Sequence, residues 1–236
     1  MKNKEEFLKW LQETYKAEVI AFTADIGQKI DKKQIIKNAK ALGVQKIIIE
    51  DLKDSFVKEY VYPMIRGHAA YEGTYLLGTS IARPLIAKRQ IAIAKKFKAF
   101  AVSHGSTGKG NDQVRFDVSF QTLAPVLRII APVREWKWTR TEEMEYAKKH
   151  NIPVPVTTEN PFSIDQNIWG RSCEAGVLED PWVAPPSEAY NWTSNPTDAP
   201  DEPAFIEVEF EQGKPIAINE QSEDGLAIIS HLNALG

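Results

Sequence analysis

A glycine-rich stretch crowded with polar side chains occupies residues 103–116 and reads SHGSTGKGNDQVRF. Gly105, Gly108 and Gly110 are closely spaced, so the backbone there can take positive φ and approach a ligand without a Cβ in the way. Exposed N–H groups in such a turn form a concave anion site. The stretch therefore predicts a binding loop, and the alternative is an ordinary surface turn. A Walker-type loop is excluded, because only two residues separate Gly105 from Gly108.

The side chains of this stretch suit an amino acid together with a nucleotide. Thr107 and Asn111 can donate hydrogen bonds to a carboxylate. Asp112 can hold an ammonium group, and Arg115 can pair with a second carboxylate through two parallel hydrogen bonds. Backbone N–H groups and a cation can bind phosphate oxygens. These residue types predict a site for amino-acid and nucleotide substrates.

Strands and helices alternate along the first part of the chain. Predicted helices and strands cover, in order, residues 4–16, 18–23, 31–42, 44–50, 54–66, 79–97, 98–103 and 126–132, where 18–23, 44–50, 98–103 and 126–132 are the strands. Gly43 predicts a left-handed helix end, and Thr139 with Glu142 predicts a capping box for a helix that ends at Lys149. Such alternation predicts an α/β fold with a doubly wound parallel sheet. Ligands of such sheets bind at the carboxyl ends of the strands, where the glycine-rich stretch and a turn at residues 24–28 (ADIGQ) both lie.

The composition changes near residue 153. Prolines and aromatic residues without long helical patterns fill residues 160–203 and predict extended segments. Period-two alternation around Gln212-Gly213 predicts a hairpin, and a last helix is predicted over Leu226–Leu235. We therefore expect a nucleotide-binding α/β domain over residues 1–152 and a smaller α+β segment over residues 153–236.

Charge and cysteine content narrow the class of protein. The net charge of −3 gives no electrostatic reason to expect nucleic acid or a membrane surface as a partner. The single cysteine, Cys173, excludes an intrachain disulfide and favours the reducing cytoplasm. The charged N-terminus does not resemble a signal peptide, and no apolar run is long enough to span a bilayer. His104 has no second histidine or cysteine at ligand spacing, so we expect no metal site and assign no catalytic base.

Three motifs carry a resemblance to a known family. The glycine-rich stretch, YEGTYLLGTSIARP at residues 71–84 and FTADIGQ at residues 22–28 are similar to argininosuccinate synthases, and the likeness runs from about Phe7 to the C-terminus. The resemblance implies an adenine nucleotide alpha hydrolase-like fold. It also implies ATP-dependent ligation of L-citrulline and L-aspartate through a citrullyl-adenylate, with release of AMP and pyrophosphate. Such a ligase serves arginine biosynthesis in the cytoplasm, and Mg²⁺ is carried by its ATP.

The resemblance also implies a role for each matching residue. The implied contacts are Thr107, Asn111 and Asp112 for aspartate; Tyr75, Ser80, Asn111, Arg115, Ser163 and Ser172 for citrulline; and Gly105 and the backbone of Ala24 for ATP. Structural alternatives exist for some of them. Tyr75 could be a core aromatic residue, whereas Ser80 and Ser163 could be helix N-caps.

The chain departs from the family pattern at both ends. We expect a shortened member that lacks the N-terminal strand with its SGGxDTS pyrophosphate loop and the C-terminal region used in oligomer assembly. Two hypotheses follow. The chain is an active synthase, as a homo-oligomer or with a complementing chain, or it is an inactive homologue that retains amino-acid binding or acts as an interaction fragment.

Overall fold

The computed structural model describes residues 4–136, 140–150, 152, 162–190 and 192–235. The described residues form two compact units, each built from separate stretches of the chain. Unit 1 comprises the described residues of 1–25, 29–50 and 83–157, and unit 2 those of 26–28, 51–82 and 158–236. The division that we predict near residue 152 rests on sequence alone and stays a prediction.

Strands and helices alternate up to residue 149, as predicted. The elements are α1 (Lys4–Tyr15), β1 (Ile20–Asp25), α2 (Lys32–Ala41), β2 (Lys46–Asp51), α3 (Lys53–Phe56), a π-helical turn (Val57–Val61), α4 (Tyr62–Arg66), α5 (Gly78–Lys96), β3 (Ala101–Ser103), α6 (Asn111–Leu123), β4 (Arg128–Ile130), α7 (Pro132–Glu135), α8 (Arg140–Lys149), β5 (Ser163–Gln166), β6 (Arg171–Glu174), β7 (Val208–Glu211), β8 (Lys214–Ile218), β9 (Gln221–Ser222) and α9 (Gly225–Leu235). Among the described helices, none has the length and apolar character needed to cross a membrane.

Local signals account for several element ends. Asp31 caps α2 by accepting the Gln34 N–H at 2.9 Å, and Gly43 follows the helix with φ of +79°, as predicted. Strand β3 begins later than predicted, because Lys98 adopts a left-handed φ of +52° after α5. Thr139 of the predicted capping box lies outside the described residues. The sequence patterns did not predict α6, which starts at Asn111.

Unit 1 contains two two-stranded sheets, one of β1 and β2 and one of β3 and β4. Strands β3 and β4 are parallel, with Ser103 opposite Ile130. A buried cluster joins this pair to α5 and α6: Ala87, Ile91, Ala94, Val102, Phe120 and Ala124. The cluster holds β3 and α6 together. The loop at residues 104–110, which connects them, is thereby placed at the carboxyl end of β3.

Unit 2 combines helices with two antiparallel sheets. The helical run at residues 53–66 contacts α9 and β8. Strands β7 and β8 form the predicted hairpin, in which Gln212 and Gly213 adopt φ of +49° and +72°, a combination typical of a type I′ turn. Strand β5 pairs with β6, so that Ile164 faces Cys173. Short 3-10 turns follow at Gly176–Glu179, Ser187–Ala189 and Pro196–Asp198.

Gly225, at the start of α9, provides a test of the packing in unit 2. A methyl group added there would overlap the hydroxyl of Tyr62, which is buried. We expect Gly225→Ala to lower the free energy of unfolding by about 1–3 kcal/mol, because overpacking forces neighbouring groups apart. Urea denaturation measures this change. Gly170→Ala is the matched control, since an added methyl group meets nothing within 4 Å there. Equal stabilities of the two variants would contradict the packing described.

Candidate functional site

The loop at residues 104–110 does not use its glycines as the sequence suggests. None of Gly105, Gly108 and Gly110 has φ in the left-handed region, so the loop does not use the positive φ that glycine permits. Gly110 is extended, with φ of −92° and ψ of 166°, and precedes α6. Gly105 is required for a different reason. A Cβ there would lie 2.6 Å from Cε2 of Phe7, so a ring from α1 occupies the space of a side chain.

A buried histidine begins this loop. His104 is 7% exposed, and its Nε2 lies 2.8 Å from Oδ1 of Asp117 in α6. Its Nδ1 accepts the Ser106 N–H at 3.2 Å. Burial, the largest effect, lowers the pKa of His104 below its ordinary value, although Asp117 opposes this change. His104 is therefore a structural element of the loop.

Asp117 is shared between the histidine and an arginine of α7. Arg134 Nη1 donates to Asp117 Oδ2 at 2.6 Å and also lies 3.2 Å from Oε1 of Gln113. Gln113 Nε2 in turn donates to the carbonyl of Gly108 at 2.6 Å. Burial alone would raise the pKa of Asp117, but hydrogen bonds from Arg134 and His104 hold it below the usual value. The carboxylate thus stays ionised at the centre of the network.

Asp112, in the first turn of α6, lies between two arginines. Arg83 Nε donates to its Oδ2 and Arg115 Nη1 to its Oδ1, both at 2.8 Å. The three side chains are partly exposed, at 28% for Asp112, 19% for Arg83 and 26% for Arg115. Because two guanidinium groups surround one carboxylate, the group carries a net positive charge. A carboxylate offers about four acceptor positions, so Asp112 retains capacity for a further donor.

The two other predicted side chains of this loop lie at its surface. Thr107 and Asn111 are exposed, Thr107 in the loop and Asn111 as the first residue of α6. Unit 1 thus gathers Gly105, Thr107, Asn111, Asp112 and Arg115 within one loop and the first two turns of one helix.

Ala24 occupies a strand, whereas we predict that it begins a turn. Strand β1 continues through Asp25, because both residues are buried and Asp25 pairs with Lys32 of α2 at 3.1 Å. The turn itself follows, with Gly27 at φ of +100°. A Cβ at Gly27 would lie 2.7 Å from the backbone nitrogen of Ile168, so both the angle and the space require glycine.

Unit 2 contains a cavity of about 250 Å³ that two predicted citrulline residues line. The lining residues are Thr74, Tyr75, Leu76, Gly78, Thr79, Trp169, Gly170, Arg171 and Ser172. Tyr75 is 38% exposed, and its hydroxyl accepts the Thr79 N–H at 3.3 Å. The core interpretation of Tyr75 is therefore wrong.

The other two predicted serines are not among the described residues that line this cavity. Ser80 lies inside the first turn of α5, and Ser163 is the first residue of β5 and faces Glu174. Neither is an N-cap, because a cap residue must precede the helix. Their roles in citrulline binding stay predictions.

An asparagine that we did not identify from the sequence holds the cavity together. Asn167 is 3% exposed, and its Oδ1 accepts the N–H groups of Trp169 at 2.8 Å and Gly170 at 3.2 Å. Its Nδ2 donates to the Gly78 carbonyl at 3.0 Å. Trp169 Nε1 adds a bond to the Leu76 carbonyl at 2.9 Å. The turn between β5 and β6 is thereby tied to the start of α5.

Arg171 is a second cavity residue that the sequence patterns did not single out. Its Nη1 donates to the Ala189 carbonyl at 3.3 Å, while its Nε is buried with no hydrogen-bond partner among the described groups. A buried guanidinium N–H without a partner is costly, so a ligand acceptor in the cavity would satisfy it. The WGRS run at residues 169–172 contains no sequence pattern that indicates a binding role for Arg171.

Substitution of Asn167 tests whether this clamp holds the cavity. Asn167→Asp keeps the acceptor but replaces the donor that reaches Gly78, so we expect a loss of about 1–3 kcal/mol in the free energy of unfolding. Denaturation followed by tryptophan fluorescence measures it. Asn195→Asp is the matched control, because the Asn195 side-chain oxygen accepts from Thr197 and a carboxylate can replace it. If both variants lost the same stability, the donor to Gly78 would not matter.

Comparison with known proteins covers nearly the whole chain. A family model described as "Arginosuccinate synthase N-terminal HUP domain" matches residues 5–153, and one described as "Arginosuccinate synthase C-terminal domain" matches residues 162–236. The HUP match, with the mixed α/β architecture and the parallel β3–β4 pair, confirms the predicted α/β, nucleotide alpha hydrolase-like fold class.

Curated relatives carry the name argininosuccinate synthase. One from Pelagibacter ubique (strain HTCC1062) is 61% identical over 215 residues, which are 90% of this chain and 54% of the relative. One from Brevibacillus brevis is 53% identical over 228 residues, which are 97% of this chain and 54% of the relative. The chain thus spans about half the length of the curated relatives it matches. The chain belongs to the argininosuccinate synthase family.

Proposed function

We propose that this chain binds the substrates of an argininosuccinate synthase, a ligase of arginine biosynthesis. The citrulline ureido oxygen attacks the α-phosphorus of ATP and releases pyrophosphate, and the aspartate amine then displaces AMP from the citrullyl-adenylate. Family membership supports the reaction class. The protein contributes by positioning the substrates and by neutralising charge. We propose that turnover occurs in the cytoplasm, in a homo-oligomer or with a complementing chain.

The observation that carries this proposal is the Asp112 carboxylate held between Arg83 and Arg115. An amino acid presents an ammonium group and at least one carboxylate, and this group offers a partner of opposite charge to each. We propose that Asp112 accepts the ammonium of L-aspartate. Thr107 and Asn111, both exposed, donate to its carboxylates.

The proposed citrulline contacts come from the family resemblance. In unit 1 these are Asn111 and Arg115. In unit 2, Tyr75 and Ser172 line the cavity, and their hydroxyl groups can bind a neutral ureido or a carboxylate group. The buried Nε of Arg171 supports an acceptor in this cavity. The further proposed contacts, on the family resemblance alone, are Ser80 and Ser163.

ATP is proposed to lie against Gly105 and the backbone of Ala24. Both lie at carboxyl ends of unit 1 strands or just after them, which is where α/β sheets bind nucleotides. Mg²⁺ would arrive with the phosphate oxygens of ATP. Among the described residues, no group of three or more acidic, histidine or cysteine side chains is placed to hold a metal ion.

Calorimetric titration of the chain with L-aspartate, L-citrulline and MgATP tests the proposed function, together with an assay of pyrophosphate release when all three are present. We expect saturable binding of each substrate. The absence of binding by all three would contradict the proposal.

Asp112 provides the sharpest single substitution. Asp112→Asn removes the charge with little change of shape, and we expect L-aspartate affinity to fall about ten- to hundredfold, the effect of one lost charged hydrogen bond. The thermal shift induced by L-aspartate should be lost accordingly. Asp54→Asn is the matched control, because Asp54 is a 63% exposed carboxylate paired with Lys58. A thermal shift that survives in Asp112→Asn would remove this residue from the site.

A further inference from the structure

We infer that His104 is a positioning residue of the candidate site: as a neutral imidazole it holds the 104–110 loop in its binding conformation, and its protonation releases the loop. The consequence for substrate rests on the proposed function, since Thr107 is a proposed aspartate ligand. The hydrogen bonds themselves are independent of that proposal.

The hydrogen bonds define the tautomer of the ring. Nδ1 accepts the Ser106 N–H at 3.2 Å, which is possible only when Nδ1 carries no proton. Nε2 lies 2.8 Å from Asp117 Oδ1, and a carboxylate requires a donor there. The ring is therefore the neutral Nε2–H form. The ring of Phe116 stacks on it with centroids 5.4 Å apart, which further fixes its plane.

The same network holds the loop at a second point. Gly108 is bound through its carbonyl by Gln113 at 2.6 Å, and Gln113 is bound by Arg134 at 3.2 Å. Arg134 and His104 both donate to Asp117. Ser106 and Gly108 are thus tied to one carboxylate, directly or through intermediates. Thr107 is the residue between the two tied positions, so its exposed side chain is oriented by bonds made on either side of it.

Protonation of Nδ1 would remove one of these ties. The new N–H would face the Ser106 N–H, so the hydrogen bond would be replaced by a repulsive contact. The charged groups that face the ring are Asp117 and Asp112 of α6, which favour the cation, and Arg134 of α7, which opposes it. Burial opposes the cation as well and lowers the pKa of His104 from its ordinary value of 6.5.

The lowered pKa of His104 determines how the stability of the fold depends on pH. The unfolded chain takes up a proton on His104 near its ordinary pKa of 6.5, whereas the folded chain takes it up at lower pH. The stabilisation by neutral His104 is therefore complete above that value and is lost progressively as the pH falls toward the folded pKa. In the folded chain His104 stays neutral until the pH falls through the folded pKa, where the Ser106 bond breaks, so we expect L-aspartate affinity to fall there while the fold persists.

Nuclear magnetic resonance of the free chain tests the hydrogen bonds without any ligand. We expect ¹⁵N signals of His104 to report the Nε2–H tautomer at about pH 8 and the Ser106 amide proton to be protected from exchange. Protection should be lost as His104 titrates. An Nδ1–H tautomer, or Ser106 protection that is unchanged when His104 is protonated, would overturn the inference.

Two substitutions separate the two bonds of the ring. His104→Asn places an amide oxygen at the position of Nδ1 and can accept from Ser106 but does not titrate. His104→Gln places an amide donor at the position of Nε2 and loses the Ser106 bond. Circular dichroism and thermal melting establish that each variant is folded.

Calorimetry with L-aspartate, between about pH 8 and the pH at which the resonance experiment shows His104 protonated, then tests the consequence. We expect the unsubstituted chain to lose affinity about tenfold on acidification, the effect of one lost hydrogen bond. His104→Asn should retain more affinity than His104→Gln and show no such loss. A loss in His104→Asn equal to that of the unsubstituted chain would overturn the inference. If L-aspartate does not bind at any pH, the proposed function fails, and the resonance experiment still decides the role of His104.

Discussion

The Asp117 carboxylate is the interaction on which the candidate site of unit 1 depends. It lies on α6, nearly two turns beyond the start of the helix, and accepts hydrogen bonds from His104 at the end of β3 and from Arg134 of α7. Three elements that are separate in sequence therefore converge on a single ionised group. Without it, His104 would lose the partner that fixes its tautomer, and Arg134 would lose the partner that keeps it beside Gln113 and Gly108. The hydrogen bonds among Asp117, His104 and Arg134 therefore stabilise the conformation of the loop at residues 104–110.

Helix α6 carries two aspartates with different tasks. Asp117 satisfies internal donors and is 21% exposed, whereas Asp112 is 28% exposed and lies between two arginines at the first turn. Hydrogen bonds from Arg134 and His104 hold the pKa of Asp117 below its usual value. Only Asp112 stands among the exposed polar side chains of the loop. The helix thus fixes the loop with one carboxylate and presents the other where an ammonium group can reach it.

Much of the fold follows from local sequence signals, whereas the arrangement of the site does not. Gly43 and the Gln212-Gly213 hairpin were predictable because a left-handed backbone has a strong residue preference. Helix α6 was missed, since its start lies in a stretch whose residue types are those of a loop. The need for glycine at position 105 comes from Phe7, which is 98 positions away, and no local pattern contains such a contact.

Contacts between distant residues also determine the unit 2 cavity, and local sequence patterns do not contain them. Asn167 stabilises the unit 2 cavity through a hydrogen bond to the Gly78 carbonyl, and no local pattern contains that contact. Ser80 and Ser163 could be interpreted as helix N-caps from the sequence, because the element boundaries were not known. The family resemblance identified candidate contacts such as Tyr75 and Ser172. It did not identify the partners that place them, because those depend on hydrogen bonds between distant segments.

The most direct test is a calorimetric comparison of L-aspartate with succinate, which lacks the ammonium group, on the unsubstituted chain and on Asp112→Asn. If Asp112 binds the ammonium, the Asp112→Asn substitution and the replacement of L-aspartate by succinate remove the same interaction. The four binding free energies then form a thermodynamic cycle with a coupling energy of about 1.5–3 kcal/mol. A coupling energy within about 0.5 kcal/mol of zero would mean that the ammonium is not bound by Asp112, and the amino-acid site described for unit 1 would be wrong.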